Sequence, residues 1–289
     1  VFVLYPLVFT IRIALSNYQI VQGNITFIGL ENFKKVLSGG SRFWYAYRNN
    51  FLYALVTVPF ILLGGMLFAY LINNLKRGQG IFRVGFYLPF ITSWVIVSLV
   101  FQYMFNNSNR GLINYILVDV LHVLDDYVPW LLREWSGNAA IWLMGIWKNV
   151  GWAMLIYLAA LQSIPKERYE AAELDGCTPN QMFWKITLPL IRPILAYTLI
   201  TSIIGGLQMF DVPQILTNGQ GAPDRTSMTL IMFLNNHLKS RNYGMAGALS
   251  VYLFIVSTVL CFFVYRMTNG KQDGGAPKKS RNHKGGANA

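Results

Sequence analysis

ERYEAAELDGCTPNQMFWKITLPLIRP, residues 167–193, is a polar and charged segment set between two stretches apolar enough to cross a membrane. Its local chemistry reads as helix, sharp turn, helix. Pro165 suits a helix start, Glu167 and Glu170 sit where the helix dipole favours acids, and Gly176 supplies a left-handed residue that ends the helix. Thr178 and Gln181 have capping-box spacing, with Pro179 at the first position of the next helix. Two features run against plain helix logic. Glu173 and Asp175 lie near the negative end of the first helix, and Ala171 with Ala172 leaves a shallow face. A docking partner would account for both; an amphipathic helix resting on lipid headgroups is the other reading.

Outward from this segment, apolar stretches fall near 1–16, 51–72, 84–105, 139–162, 194–216 and 244–267. Each approaches the roughly 20 helical residues that a bilayer core requires. The runs are continuous rather than alternating, so helices rather than a barrel satisfy their backbones in lipid. The expected fold class is therefore all-α, a polytopic membrane protein with about six transmembrane helices. The sequence opens at Val1 inside an apolar run, so the first span is expected to be incomplete. Residues 1–48 form that span and an outer amphipathic segment, 49–268 the transmembrane core with its loop at 163–192, and 269–289 a polar tail read as disordered.

Composition agrees. With 54% apolar, 15% aromatic and 12% charged residues, the chain is far from an ordinary soluble domain. The Lys and Arg behind the net charge of +12 fall mostly between and beyond the apolar runs, with no basic stripe interleaved with aromatics, so nucleic acid is not an expected partner. More Lys and Arg fall on the side of Lys166, Arg168, Lys185 and the tail than on the side of Lys34, Arg42 and Arg110, which places the 167–193 segment in the cytoplasm. Leu30 to Leu37 reads as a short outer amphipathic helix, and 111–135 as a second outer element. Cys177 and Cys261 lack metal-ligand spacing, and His122, His237 and His283 are scattered, so neither a metal site nor an enzyme is expected. The phosphate-loop pattern G-x-x-x-x-G-K-[ST] is absent, so no cofactor is expected in this chain.

Glu170-Ala171-Ala172, Asp175-Gly176 and Ile186-Thr187-Leu188-Pro189, at their offsets within a loop between spans, resemble the EAA loop of ABC-importer permeases. The chain is similar to carbohydrate permeases of the maltose and multiple-sugar type through Leu88-Pro89, Phe210-Asp211 and Thr217-Asn218-Gly219 as well. The similarity runs over about residues 1–267. It implies a type I ABC importer permease fold, in which the helix at 166–175 enters a cleft of an ATPase subunit. Glu170, Ala171, Ala172, Leu174, Asp175 and Gly176 would carry that coupling. The implied partners are a second homologous permease, two ATPase subunits that bind ATP-Mg, an extracellular sugar-binding protein and membrane lipid. The implied location is the bacterial plasma membrane. Two departures stand out: Cys177 occupies a position where a small residue is usual, and Gly219-Gln220-Gly221-Ala222-Pro223 replaces a tighter Gly-Gly-Pro.

Lys148 is the oddest residue in any span, since charge at membrane depth is costly unless it faces a cavity or pairs. It reads either as lining the pathway, with Asp211 as its natural opposite charge, or as snorkelling beside Trp147 and Trp152. Pro89, Gly205-Gly206 and Pro213 hint at a cavity wall; close helix packing explains the glycines equally well. Alignment on the family anchors implies sugar-facing positions at Phe90, Trp94, Gly145, Lys148, Asn149, Ser202, Gly206 and Met209, with Asp211 nearby. The rival readings are an ion-coupled carrier or channel built on a Lys148–Asp211 pair, and an ABC permease for a non-sugar nutrient.

Overall fold

The structure, a computed structural model, describes residues 2–19, 24–38, 41–221 and 227–269. A short helix α1 (Leu4–Ala14) leads into a hairpin of β1 (Ser16–Gln19) and β2 (Asn24–Phe27), antiparallel with Ser16 opposite Phe27. Then come α2 (Glu31–Ser38), α3 (Ser41–Asn73), α4 (Gln79–Ile91), α5 (Trp94–Met104) and a single turn α6 (Leu112–Asn114). The long α7 (Glu134–Gln162) is followed by α8 (Lys166–Leu174), α9 (Pro179–Met182) and α10 (Leu188–Leu190). The chain closes with α11 (Arg192–Leu207), α12 (Asp211–Leu216), α13 (Leu230–Lys239) and α14 (Tyr243–Asn269). The all-α expectation thus holds apart from the small hairpin. The tail beyond Asn269, and Ala222 and Pro223 of the unusual outer loop, lie outside the described residues.

The six expected spans all have helical counterparts, of which one is bent and the first is short. Among the described residues α3, α7, α14 and the α11–α12 stretch are each long and apolar enough to span a membrane. The expected third span is instead the pair α4 and α5, bent by 91°. Extended backbone at Thr92 (ψ 143°) and Ser93 (ψ 135°), just past Pro89, redirects the chain there. The first expected span contributes the 11 residues of α1, a rise of about 16 Å against a core of about 30 Å.

Small residues set the helix spacing. An ideal Cβ on Gly151 of α7 would stand 1.7 Å from the Phe86 carbonyl oxygen of α4, and one on Gly65 of α3 only 2.6 Å from Ala153 Cβ of α7. Backbones therefore approach closely enough for van der Waals packing to hold the helices together in lipid, where no hydrophobic force between them is available. Around these contacts Ile61, Ala69 and Ile72 of α3 pack on Val150, Met154, Tyr157 and Leu158 of α7. Away from this seam, Leu55, Leu63 and Leu67 are 57%, 71% and 55% exposed, an apolar face suited to lipid rather than water.

Buried amides then fix the register between helices. Asn50, fully buried on α3, donates to the Gly206 and Leu207 carbonyls at the end of α11 and accepts from the Leu230 N–H at the start of α13. Asn32 of α2 does the same for the start of the chain, donating to the Ala14 and Ser16 carbonyls. The Tyr157 hydroxyl pairs with Thr198 Oγ1 at 2.6 Å, joining α7 to α11.

Candidate functional site: an exposed elbow and a cavity joined by one helix

The elbow begins where α7 ends. Pro165 has φ −58° and ψ 135°, and α8 runs from Lys166 to Leu174. Gly176 takes φ 78°, and its N–H donates to the Glu173 carbonyl while the Cys177 N–H donates to Ala172. This is the paired hydrogen-bond closure that a left-handed glycine permits. One residue on, Thr178 opens α9 with a complete capping box: its Oγ1 accepts from the Gln181 N–H, and its own N–H donates to Gln181 Oε1. The Tyr169 hydroxyl meets Thr187 Oγ1 at 2.9 Å and ties α8 to the returning chain.

The elbow faces out of the bundle. Glu170, Ala171, Asp175 and Gly176 are exposed, and Leu174 is 90% exposed at the helix end. Ala172 differs: at 6% exposure it packs inward, so the two alanines do not share one outward face. Helical geometry separates consecutive residues by about 100°, so one anchors the helix as the other is presented.

At mid-height of the bundle lies a cavity of about 460 Å³. Phe90 and Trp94 come to it from the α4–α5 bend, Asn149 from α7, and Ser202, Gly206, Met209 and Asp211 from α11 and the break before α12. Aromatic walls alternate with hydroxyl and amide groups, and Phe90 stacks on Trp152 with centroids 6.2 Å apart. Among the described residues Asp211 is the single charged side chain on the wall, and it stands in the first turn of α12, where the dipole favours an acid. Such a surface suits a solute with apolar faces and a hydroxyl rim.

Gly145 and Lys148 stand outside the wall. A Cβ on Gly145 would fall 2.1 Å from the Tyr53 hydroxyl, so its bareness lets that ring reach the cavity. Lys148 is 1% exposed, and among the described residues it forms no ion pair with Asp211. Its Nζ instead donates to the carbonyls of Pro89 (2.8 Å), Phe90 (3.0 Å) and Thr92, and lies 4.7 Å from the centroid of the Trp94 ring. A cation thus satisfies the last carbonyls of α4, which the bend leaves without intrahelical donors, at the negative end of that helix. The charge pair on which an ion-coupled carrier would rest is not formed.

Tyr53, Thr57, Thr201, Gln208 and Phe210 also line the cavity and escaped the sequence reading. Asn50, Tyr53 and Thr57 recur at three- and four-residue intervals in an otherwise apolar helix, a polar stripe that marks the inward face.

Residues 37–269 match the family described as binding-protein-dependent transport system inner membrane component. The trehalose/maltose transport system permease protein MalF of Thermococcus litoralis is 33% identical over 271 residues, covering 94% of this chain and 89% of that protein. The arabinooligosaccharides transport system permease protein AraP of Halalkalibacterium halodurans is 30% identical over 264 residues, covering 91% and 82%. In fold, a permease chain of a bacterial ABC transporter that imports the acidic polysaccharide alginate superposes with a TM-score of 0.76 at 24% identity, covering 93% of this chain and 90% of that one. Helices, elbow and sequence together lead to one assignment: the chain belongs to the inner membrane components of binding-protein-dependent transport systems, as a multi-pass membrane protein.

Proposed function

We propose that this chain is one permease subunit of an ATP-driven importer of sugars or oligosaccharides. The observation that carries the proposal is the attachment of both candidate sites to one rigid element. α7 supplies Asn149 and Trp152 to the cavity, and α8 follows its last turn after Ser163, Ile164 and Pro165. Displacement of the elbow by a cytoplasmic ATPase therefore reaches the cavity wall through the short Ser163–Pro165 link and α7. Glu170, Ala171, Leu174, Asp175 and Gly176 form the presented surface, and Ala172 holds the helix to the bundle.

A second homologous permease would complete the pathway, two ATPase subunits would bind ATP-Mg, and an extracellular sugar-binding protein would deliver cargo. The relatives that carry trehalose, maltose or arabinooligosaccharides in their names support a saccharide as that cargo. The aromatic and hydroxyl-rich wall supports it independently. Alternation between outward- and inward-facing states requires the nucleotide-bound ATPases to hold one elbow position more tightly than the other.

The test is Glu170→Lys in the assembled complex. Membrane insertion stays at the parent level, ATPase association is lost, and ATP-driven saccharide uptake into vesicles disappears. Association at the parent level would remove the coupling assignment.

A further inference from the structure

A second pocket, of about 480 Å³, lies at the opposite end of the α5–α12 pair from the central cavity. The two helices run in the same direction. Trp94 and Asp211, at their starts, line the central cavity, while Gln102 and Leu216, near their ends, line the second pocket. Gln102 Nε2 holds the pair together by donating to the Ile215 carbonyl at 3.1 Å. From Trp94 to Gln102 the helix rises about 12 Å. Leu131 and Leu132, just before α7, close one side, which puts this pocket at the end of the bundle away from the elbow.

Among the described residues the lining is neutral, and the amides of Gln102, Asn106, Asn107 and Asn218 are held in fixed orientations. Asn107 Oδ1 accepts from the Leu131 N–H at 2.7 Å, and Asn106 Oδ1 accepts from the Ser108 N–H at 3.1 Å. Asn218 Oδ1 accepts from Gln102 Nε2 at 3.2 Å, and that same nitrogen is identified by its bond to a carbonyl. A backbone N–H only donates and a backbone carbonyl only accepts, so these partners settle which end of each amide is oxygen. The Nδ2 groups of Asn106, Asn107 and Asn218 and the Tyr103 hydroxyl are then left without a protein acceptor among the described residues. Among the described residues the pocket therefore presents several positioned donors, no charged group, and leucine faces between them.

We propose that this pocket is an outer saccharide subsite, which binds the trailing units of a neutral oligosaccharide whose leading unit occupies the central cavity. The inference rests on the carbohydrate reading above. Positioned N–H donors match ring and hydroxyl oxygens, and leucine faces pack on the apolar faces of the sugar. Charge selects against an acidic chain: among the described residues no cation lines either compartment, and Asp211 repels a uronate.

The experiment uses the detergent-purified assembled transporter without its binding protein. Equilibrium dialysis measures binding of radiolabelled malto-oligosaccharides and arabino-oligosaccharides of graded length, and of an oligogalacturonate of matched length. In the parent, affinity of at least one neutral series rises with length, and the oligogalacturonate binds more weakly. The double variant Asn107→Asp, Asn218→Asp keeps both acceptor oxygens and replaces both donors. It binds the disaccharide as the parent does, a built-in control for folding, and long neutral chains about tenfold more weakly. Length-independent affinity in the parent, or an unchanged length profile in the variant, overturns the outer subsite and leaves the carbohydrate reading standing. No binding of any saccharide by the parent overturns both. A variant that binds saccharides normally yet loses ATPase stimulation by the binding protein overturns the subsite too, and assigns the pocket to protein docking.

Discussion

Replacing Lys148 by Met keeps a long unbranched side chain and removes the charge from the α4–α5 bend. Three carbonyls then lose a charge-assisted donor, each such bond contributing about 1.5–3 kcal/mol, and Trp94 loses a cation held 4.7 Å from its ring, a contact of about 0.5–2 kcal/mol. These contributions share one side chain and do not add. The net destabilisation is therefore about 3–5 kcal/mol, the size found when one partner of a buried charge interaction is removed. For chains of this size it corresponds to a fall in melting temperature of about 10 °C. Thermal unfolding of the purified complex, followed by tryptophan fluorescence, reads this directly, and saccharide binding reads the accompanying shift of Phe90 and Trp94 in the cavity wall. Lys148→Arg, which restores charge and donors, recovers most of both. A Met variant that melts within about 2 °C of the parent and binds saccharide equally well would refute the reasoning, since the bend would then hold without its cation.

Other expectations follow from single contacts. Leu174→Ser removes an apolar side chain presented by the elbow and weakens ATPase association in pull-down, while the melting temperature changes little because the residue is 90% exposed. Gly151→Val drives side-chain atoms into the Phe86 carbonyl, separates α4 from α7, and lowers thermal stability by at least the 1–3 kcal/mol typical of overpacking, about 2–10 °C. Asn50→Leu strands the Leu230 N–H and two α11 carbonyls and costs about 2–3 kcal/mol by the same melting assay. His237 of α13 has its pKa pulled below the ordinary value, first by burial and then by the Arg42 charge. The folded state thus binds fewer protons than the unfolded one, so this stabilisation is complete above about pH 6.5 and is lost as pH falls below it. His237→Phe should flatten the melting profile over that acid range; an unchanged slope would exclude His237 as its source.

The elbow was legible because every element of it is local. Pro165, Gly176 and the Thr178–Gln181 box act within one turn of chain, and each does so in the structure. The apolar runs were legible for a related reason: twenty consecutive lipid-compatible residues have few other uses. The sequence, by itself, therefore determined an all-α membrane protein with a polar elbow between spans, since backbone satisfaction in lipid and helix capping depend only on neighbours in the chain. It did not determine the 91° break in the third apolar run or the place of Lys148. Continuous hydrophobicity from 84 to 105 looks the same whether the helix is straight or bent, and the bend persists because Lys148, more than fifty residues away, reaches its carbonyls. Nor did it assign Gly145 and Gly151 to close packing, or gather Tyr53, Thr57 and Thr201 onto the cavity wall beside Phe90 and Trp94. Those outcomes belong to tertiary structure alone, because a buried cation, a bare Cα and a shared cavity are each defined by what another helix brings against them.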